Sequence, residues 1–277
     1  MEIIVFLILG VIQGLTEFLP ISSSGHLILF YKLFGLEIDT MTLSILLHIA
    51  TLLSVIVYYR KTLIILIKNP FCKTNLKILV TTLTTCLLVL VFKPIIDKTF
   101  NTDYLFAFFV ITAFLLILSD YMSSKKELSN LTNPTSINTK TLIRPEDITN
   151  INISYFQAFI IGLSQGVACI PGISRSGTTI ATAKIIGVRK DVSTYSFIIS
   201  IPIIIASLIL DIASGGNLNN VNIIGLILSM IVCFVIGLLS IKVMTNFVKN
   251  NKLTIFSYYL LALTTFLILN NVFFHIF

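Results

Sequence analysis

Residues Gln165–Thr179 read QGVACIPGISRSGTT, and residues Gln13–Leu27 read QGLTEFLPISSSGHL. A shift of 152 positions puts Gln13 on Gln165, Gly14 on Gly166, Ile21 on Ile173, Ser22 on Ser174, Ser24 on Ser176 and Gly25 on Gly177. The two stretches are copies of one motif, Q-G followed by I-S-x-S-G. The shift is a little over half of the 277-residue chain, so the sequence reads as an internal duplication. The copies differ where chemistry matters. The first carries Glu17 and His26 where the second has Cys169 and Thr178, and the second carries Arg175 where the first has Ser23. Two half-sites of different character read as one composite site.

The surroundings decide what kind of protein holds this site. The chain is 56% hydrophobic and only 11% charged, with a mean hydropathy of +1.00. That composition belongs to an all-α polytopic membrane protein, with no region large enough for a separate soluble domain. The net charge of +7 does not point to nucleic acid, because no basic stripe is interleaved with aromatics. The lysines sit between apolar runs, where they set topology. Cys72, Cys86, Cys169 and Cys233 are far apart and suggest neither zinc nor a disulfide framework. The N-terminus is apolar at once and carries the first motif, so it does not read as a removable signal peptide.

In chain order, residues 3–18 and 26–36 are apolar pieces hinged on Leu19–Gly25. Each is shorter than the ~20 residues of a spanning helix, so together they read as a re-entrant pair. Full spans are expected at 41–59, 78–96 and 104–121, with a basic loop after Arg60-Lys61. The polar stretch 122–154 reads as a cytoplasmic linker between repeats 1–121 and 155–277. The second half repeats the plan, with short pieces at 155–169 and 178–188 and spans at 195–213, 222–242 and 254–276.

A re-entrant pair returns to its starting side, and three spans end on the other. The second half is therefore expected upside down relative to the first. Loops and helix ends on one side carry most of the basic residues, among them Arg60, Lys77, Lys140, Arg144, Arg189 and Lys252. The other side carries Lys32, Lys93 and Lys98. The positive-inside rule makes the first side cytoplasmic, and the two re-entrant tips then meet near the midplane.

The meeting point would bind an anion. Arg175 lies in an apolar run, where an arginine marks a site by default. Ser22, Ser24, Ser174, Ser176, Thr178 and Thr179 supply hydroxyls, and two helix N-termini supply free N–H groups. Phosphate or diphosphate fits best. Glu17 reads as a ligand for a divalent cation on phosphate oxygens or as a general base, with Gln13 one turn earlier offering a neutral oxygen. The plainer reading of Glu17 is an ion pair with Arg175, and that of Arg175 alone is a side chain snorkelling to the interface. Ser23 and His26 are three apart and can face each other as nucleophile and base, or His26 can protonate a leaving phosphate. His26 also has a plainer reading as a pore-lining residue. His48 and His275 lie outside any motif and read as packed and end-exposed.

Q-x-x-x-E at Gln13–Glu17, P-I-S-S-S-G-H at Pro20–His26 and P-G-I-S-R-S-G-T-T at Pro171–Thr179 resemble the undecaprenyl-diphosphatase, or bacitracin-resistance, family. The resemblance covers essentially the whole chain, and Gln13 leaves one carboxylate in the first motif rather than two. It implies a bacterial inner-membrane phosphatase that hydrolyses undecaprenyl diphosphate with Mg²⁺ or Ca²⁺ support. It further implies a homodimer whose active site opens to the periplasm. Glu17, Ser23, His26, Ser174, Arg175 and Thr179 match the family's functional positions. The competing expectation is a transporter or flippase that uses the same duplicated anion site for translocation.

Overall fold

In lipid a backbone must satisfy its own hydrogen bonds, and long apolar runs do so as helices. The computed structural model describes residues 2–35, 40–99, 104–131, 145–188, 190–213 and 222–274, and every regular element among them is helical. In order these are α1 (Glu2–Thr16), α2 (Ser23–Leu33), α3 (Thr40–Tyr58), α4 (Arg60–Lys68), α5 (Lys73–Asp97) and α6 (Leu105–Leu131). After a 3₁₀ turn at Pro145–Asn150 come α7 (Tyr155–Val167), α8 (Arg175–Ile185), α9 (Val192–Ala213), α10 (Ile223–Lys249) and α11 (Thr254–Leu269).

Among the described residues, helices α5, α6, α9, α10 and α11 are each long and apolar enough to cross a bilayer, and α3 and α4 together pass the same test as a pair bent by 76°. Five of the six expected spans and the four short pieces appear, and α3 covers the span expected at 41–59. The 15 residues of α1 rise only about 22 Å, well short of a hydrocarbon core of about 30 Å. The chain is a multi-pass membrane protein.

Three details correct the sequence reading. The basic loop expected after Arg60-Lys61 begins as a helix, α4, which buries Thr62 and Leu66 one turn apart. Lys77 is not a loop charge: it is buried in α5 and donates to the Ile151 carbonyl at 2.7 Å. The stretch 122–154 is structured at both ends. Helix α6 runs into it as far as Leu131, and Ile151 and Ile153 are buried in the core. Thr74 clips the second end by accepting from Ile151 N and donating to the Ile148 carbonyl. Lys140, Arg144, Arg189 and His275 lie outside the described residues.

The packing repeats itself between the halves. On α1, a Cβ at Gly10 would strike Ser229 of α10 and one at Gly14 would strike Cys233 and Ile236. On α7, the glycines at the equivalent positions, Gly162 and Gly166, meet Thr81 and Leu88 of α5 in the same way. Small residues let these backbones approach closely, the usual device of helix association in lipid. Each short first helix therefore docks on a long helix of the other half.

Candidate active site

The two motif turns lie against each other. A Cβ on Gly25 would come within 3.3 Å of the Gly172 Cα and 2.8 Å of the Phe109 ring. A Cβ on Gly177 would come within 2.9 Å of the Pro20 Cβ. Gly172 sits at φ +93°, a conformation that a residue with a side chain adopts only under strain. Hydrogen bonds stitch the turns together: Gly172 N donates to Ser22 Oγ at 3.1 Å, and Ser176 Oγ donates to the Leu19 carbonyl at 3.2 Å.

Each turn opens a helix in the same way. Ser22 caps α2 by accepting from Gly25 N, and Ser174 caps α8 by accepting from Gly177 N. Such serine caps satisfy donors that a helix start leaves free. The first residue of α2 is then Ser23 and the first of α8 is Arg175, the equivalent positions in the two copies. Both reach Glu17. Ser23 Oγ donates to Glu17 Oε2 at 2.6 Å, and Arg175 Nη2 pairs with Glu17 Oε1. Gln13 Nε2 adds a third donor to Oε2 at 3.0 Å. The Glu17 side chain is 1% exposed and that of Arg175 is 21% exposed, so the guanidinium is the open side of the pair. The plainer expectation for Glu17, an ion pair with Arg175, is therefore what the structure contains.

His26 is buried and bound at both nitrogens. Its Nδ1 lies 2.7 Å from the Ser22 carbonyl, which can only accept, so Nδ1 carries hydrogen. Its Nε2 lies 2.7 Å from the Tyr259 hydroxyl. The expected Ser23–His26 pair is thus not made: Ser23 turns to Glu17 and His26 to Tyr259. Three residues of separation put the two on one side of α2, but the carboxylate one turn before the loop is the stronger acceptor.

Most of the other hydroxyls hold the turns. Ser22, Ser174, Ser176, Thr178 and Thr179 are all buried, and Ser24, half-buried, lies 3.4 Å from Ser22 Oγ. Thr179 Oγ1 donates to the Arg175 carbonyl and meets Ser196 Oγ at 2.5 Å. Thr112 of α6 accepts from Ser174 N and donates to the Gly172 carbonyl. Thr178 Oγ1 is buried without a hydrogen-bond partner.

A profile of the family described as bacitracin resistance protein BacA matches residues 6–266. The chain belongs to this family. It is 36% identical to the undecaprenyl-diphosphatase of Thermosipho africanus over 272 residues, covering 95% of this chain and 98% of the relative. It is 37% identical to that of Treponema denticola over 279 residues, covering 95% of each chain. The undecaprenyl-diphosphatase of Carboxydothermus hydrogenoformans is 34% identical over 259 residues, 91% of each.

In this BacA-family site the neighbours of Glu17 and His26 from distant helices escaped the sequence reading. His48 of α3 places Nε2 3.5 Å from Glu17 Oε2, so it is no mere packing residue. The argument that singled out Arg175, an ionisable group inside an apolar run, applies equally to His48 and would have found it. Tyr259 lies in α11, far from either motif, and gives no local signal. Among the described residues no group of three or more His, Cys, Asp or Glu is placed to hold a metal. Oxygen donors are nevertheless present. Gln13 Oε1 is buried without a hydrogen-bond partner beside the Glu17 carboxylate. A carboxylate and an amide oxygen suit a hard divalent cation whose remaining positions come from phosphate and water.

Proposed function

We propose that this chain is a membrane phosphatase that hydrolyses undecaprenyl diphosphate to undecaprenyl phosphate and inorganic phosphate. The observation that carries the reading is the convergence of Ser23 and Arg175, each the first residue of its helix, on Glu17. Near-full-length similarity to three undecaprenyl-diphosphatases supports it. The reaction returns a lipid carrier to peptidoglycan synthesis, and the family description links it to bacitracin resistance.

The groups divide the work. The C55 tail lies along the lipid-facing helices while the diphosphate reaches the crossed turns. Arg175 exchanges Glu17 for phosphate oxygens, which its planar fork grips in two places. The N-termini of α2 and α8 add partial positive charge where negative charge builds up. Either a water attacks the terminal phosphorus and gives inorganic phosphate directly, or Ser23 attacks it and a water then cleaves the phosphoserine, releasing inorganic phosphate and returning the proton to Ser23. Its hydroxyl already donates to Glu17 Oε2, so Glu17 is the base that takes the proton. The bond from that phosphorus to the bridging oxygen breaks. His26 in its imidazolium form gives the Nε2 proton to the leaving undecaprenyl phosphate and regains one from water, while Nδ1 keeps its hydrogen on the Ser22 carbonyl. Ser22, Ser24, Ser174, Ser176, Thr178 and Thr179 shape the turns that aim these groups, and Thr178 Oγ1 has a hydrogen to give. A divalent cation, Mg²⁺ or Ca²⁺, held by Glu17 and Gln13 Oε1 would neutralise diphosphate charge.

The setting proposed is the bacterial inner membrane, with the basic loops cytoplasmic, the site open to the periplasm and the protein a homodimer. The halves are proposed to be inverted repeats. The matched glycine contacts of α1 on α10 and α7 on α5 support that arrangement. The same packing favours the second reading, translocation of a phosphorylated lipid, because two-fold internal symmetry suits alternating access.

The deciding experiment is phosphate release from undecaprenyl diphosphate by purified protein in detergent, with and without EDTA, beside Arg175→Ala and His26→Ala. Metal-dependent release abolished by both substitutions establishes the phosphatase. Substrate that binds folded wild-type protein without hydrolysis moves translocation to first place.

A further inference from the structure

His48 stands opposite Glu17 with its Nε2 aimed at the carboxylate. Its Nδ1 lies 2.7 Å from the Ser44 carbonyl, one turn earlier on α3, so Nδ1 carries hydrogen and donates there. That bond turns Nε2 toward Glu17 Oε2 at 3.5 Å, beyond the roughly 2.7–3.2 Å of an N–H···O bond. Two donors each about 2.1–2.4 Å from one divalent cation lie about 3.0–3.9 Å apart at octahedral to tetrahedral angles. An imidazole whose Nδ1–H is pinned by a carbonyl is also the usual posture of a metal-binding histidine, with the tautomer fixed and Nε2 left free to coordinate. Independently, Gln13 is fully buried, gives its amide N–H to the same Oε2, and leaves Oε1 without a partner. The guanidinium of Arg175 is held at the other oxygen, Oε1.

We propose that His48 Nε2 is a third ligand of the divalent cation, beside the Glu17 carboxylate and Gln13 Oε1. The inference rests on the phosphatase reading for the presence of a cation and goes beyond it in naming a nitrogen donor. Mg²⁺ and Ca²⁺ prefer oxygen, whereas imidazole suits first-row transition ions. The site therefore favours Mn²⁺ over Ca²⁺ more strongly than an all-oxygen site would. The side chain of His48 is 23% exposed and that of Glu17 1%, so His48 is the open member of the pair.

The test uses the full chain in detergent, loaded with Mn²⁺ alone and with Mn²⁺ plus methylenediphosphonate, and reads nitrogen coupling by pulsed electron paramagnetic resonance. The expected result is one bound Mn²⁺ coupled to an imidazole ¹⁴N. His48→Gln removes that coupling and weakens Mn²⁺ binding by roughly 10–100-fold, with Ca²⁺ affinity changed less than about threefold because glutamine returns an oxygen donor. His26→Gln leaves the coupling intact. Mn²⁺ bound without ¹⁴N coupling overturns the proposal, and so does coupling that survives in His48→Gln or an absence of stoichiometric binding in both arms. Phosphate release by the same wild-type preparation separates the two readings. If release persists, only the ligand role of His48 fails; if release is absent as well, the phosphatase reading fails with it.

Discussion

The Nε2 of His26 meets the hydroxyl of Tyr259 at 2.7 Å, and the two rings stack with centroids 5.7 Å apart and planes 13° from parallel. Nδ1 is committed to the Ser22 carbonyl, so Nε2 is the nitrogen left for chemistry, and Tyr259 is its only polar contact given by the described residues. Tyr259→Phe keeps the stacked ring and removes the hydroxyl. A single hydrogen bond of this kind is worth about 0.5–1.5 kcal/mol. The expected result is a kcat lowered by roughly two- to tenfold with little change in KM. Steady-state phosphate release checks it, and an unchanged kcat would show that Tyr259 only packs.

Arg175 and Glu17 form a pair buried on the glutamate side, and removing one member strands the other. Arg175→Ala leaves a buried carboxylate and takes away the phosphate clamp, with an expected loss of at least about 100-fold in kcat/KM. Arg175→Lys retains charge but not the two-pronged grip, so it rescues only part of that loss. Glu17→Gln leaves Ser23 without its base and is expected to be comparably impaired. Because the two side chains serve one step, the double substitution is expected to cost about as much as the worse single one. Additive losses, measured in the same assay, would count against a shared role.

Much of this site was legible in the sequence because its parts are local. The motif copies placed Ser23 and Arg175 at equivalent positions, and the serine-glycine turns predicted where α2 and α8 begin. The apolar run lengths separated short pieces from full spans. Contacts between distant elements were not legible. Nothing near Tyr259 signals that α11 comes to His26, and nothing near Thr112 signals that α6 ties the second turn. Local spacing also misled: Ser23 and His26 share one side of a helix, yet each found a better partner elsewhere. Lys77 was read as a loop charge because a lysine at the start of an apolar run usually is one. Its ammonium instead satisfies a carbonyl at the far end of the polar stretch.

The turn crossing is tight enough to test by adding one carbon. Gly25 and Gly177 approach Phe109 and Pro20 too closely for a Cβ. Gly25→Ala and Gly177→Ala are each expected to cost about 1–3 kcal/mol through overpacking. Gly35, at φ +56° with nothing within 4 Å of a built Cβ, is the contrasting case. Its replacement by Asn, which tolerates that backbone, is expected to be nearly neutral. Thermal unfolding in detergent, followed by fluorescence of a thiol-reactive dye, ranks the three. Turn variants as stable as Gly35→Asn would mean that the two turns do not cross this closely.

A second buried ion pair lies away from the chemistry. Lys184 near the end of α8 meets Asp120 of α6 at 3.3 Å, with side chains 6% and 9% exposed. Asp120 Oδ2 also accepts from Thr254 N and Thr254 Oγ1, so one carboxylate caps the start of α11 and anchors α8. Asp120→Asn takes the carboxylate charge away from beside the buried Lys184 ammonium, and breaking a buried pair from one side costs about 3–5 kcal/mol. Lys184→Met with Asp120→Asn removes both charges while asparagine still offers an acceptor to Thr254. The double variant is therefore expected to unfold at a higher temperature than Asp120→Asn alone. The reason is electrostatic: the cost comes from keeping an ammonium buried once its counter-charge is gone, not from the lost attraction. A double variant less stable than Asp120→Asn would reverse that conclusion and make the attraction itself the larger effect.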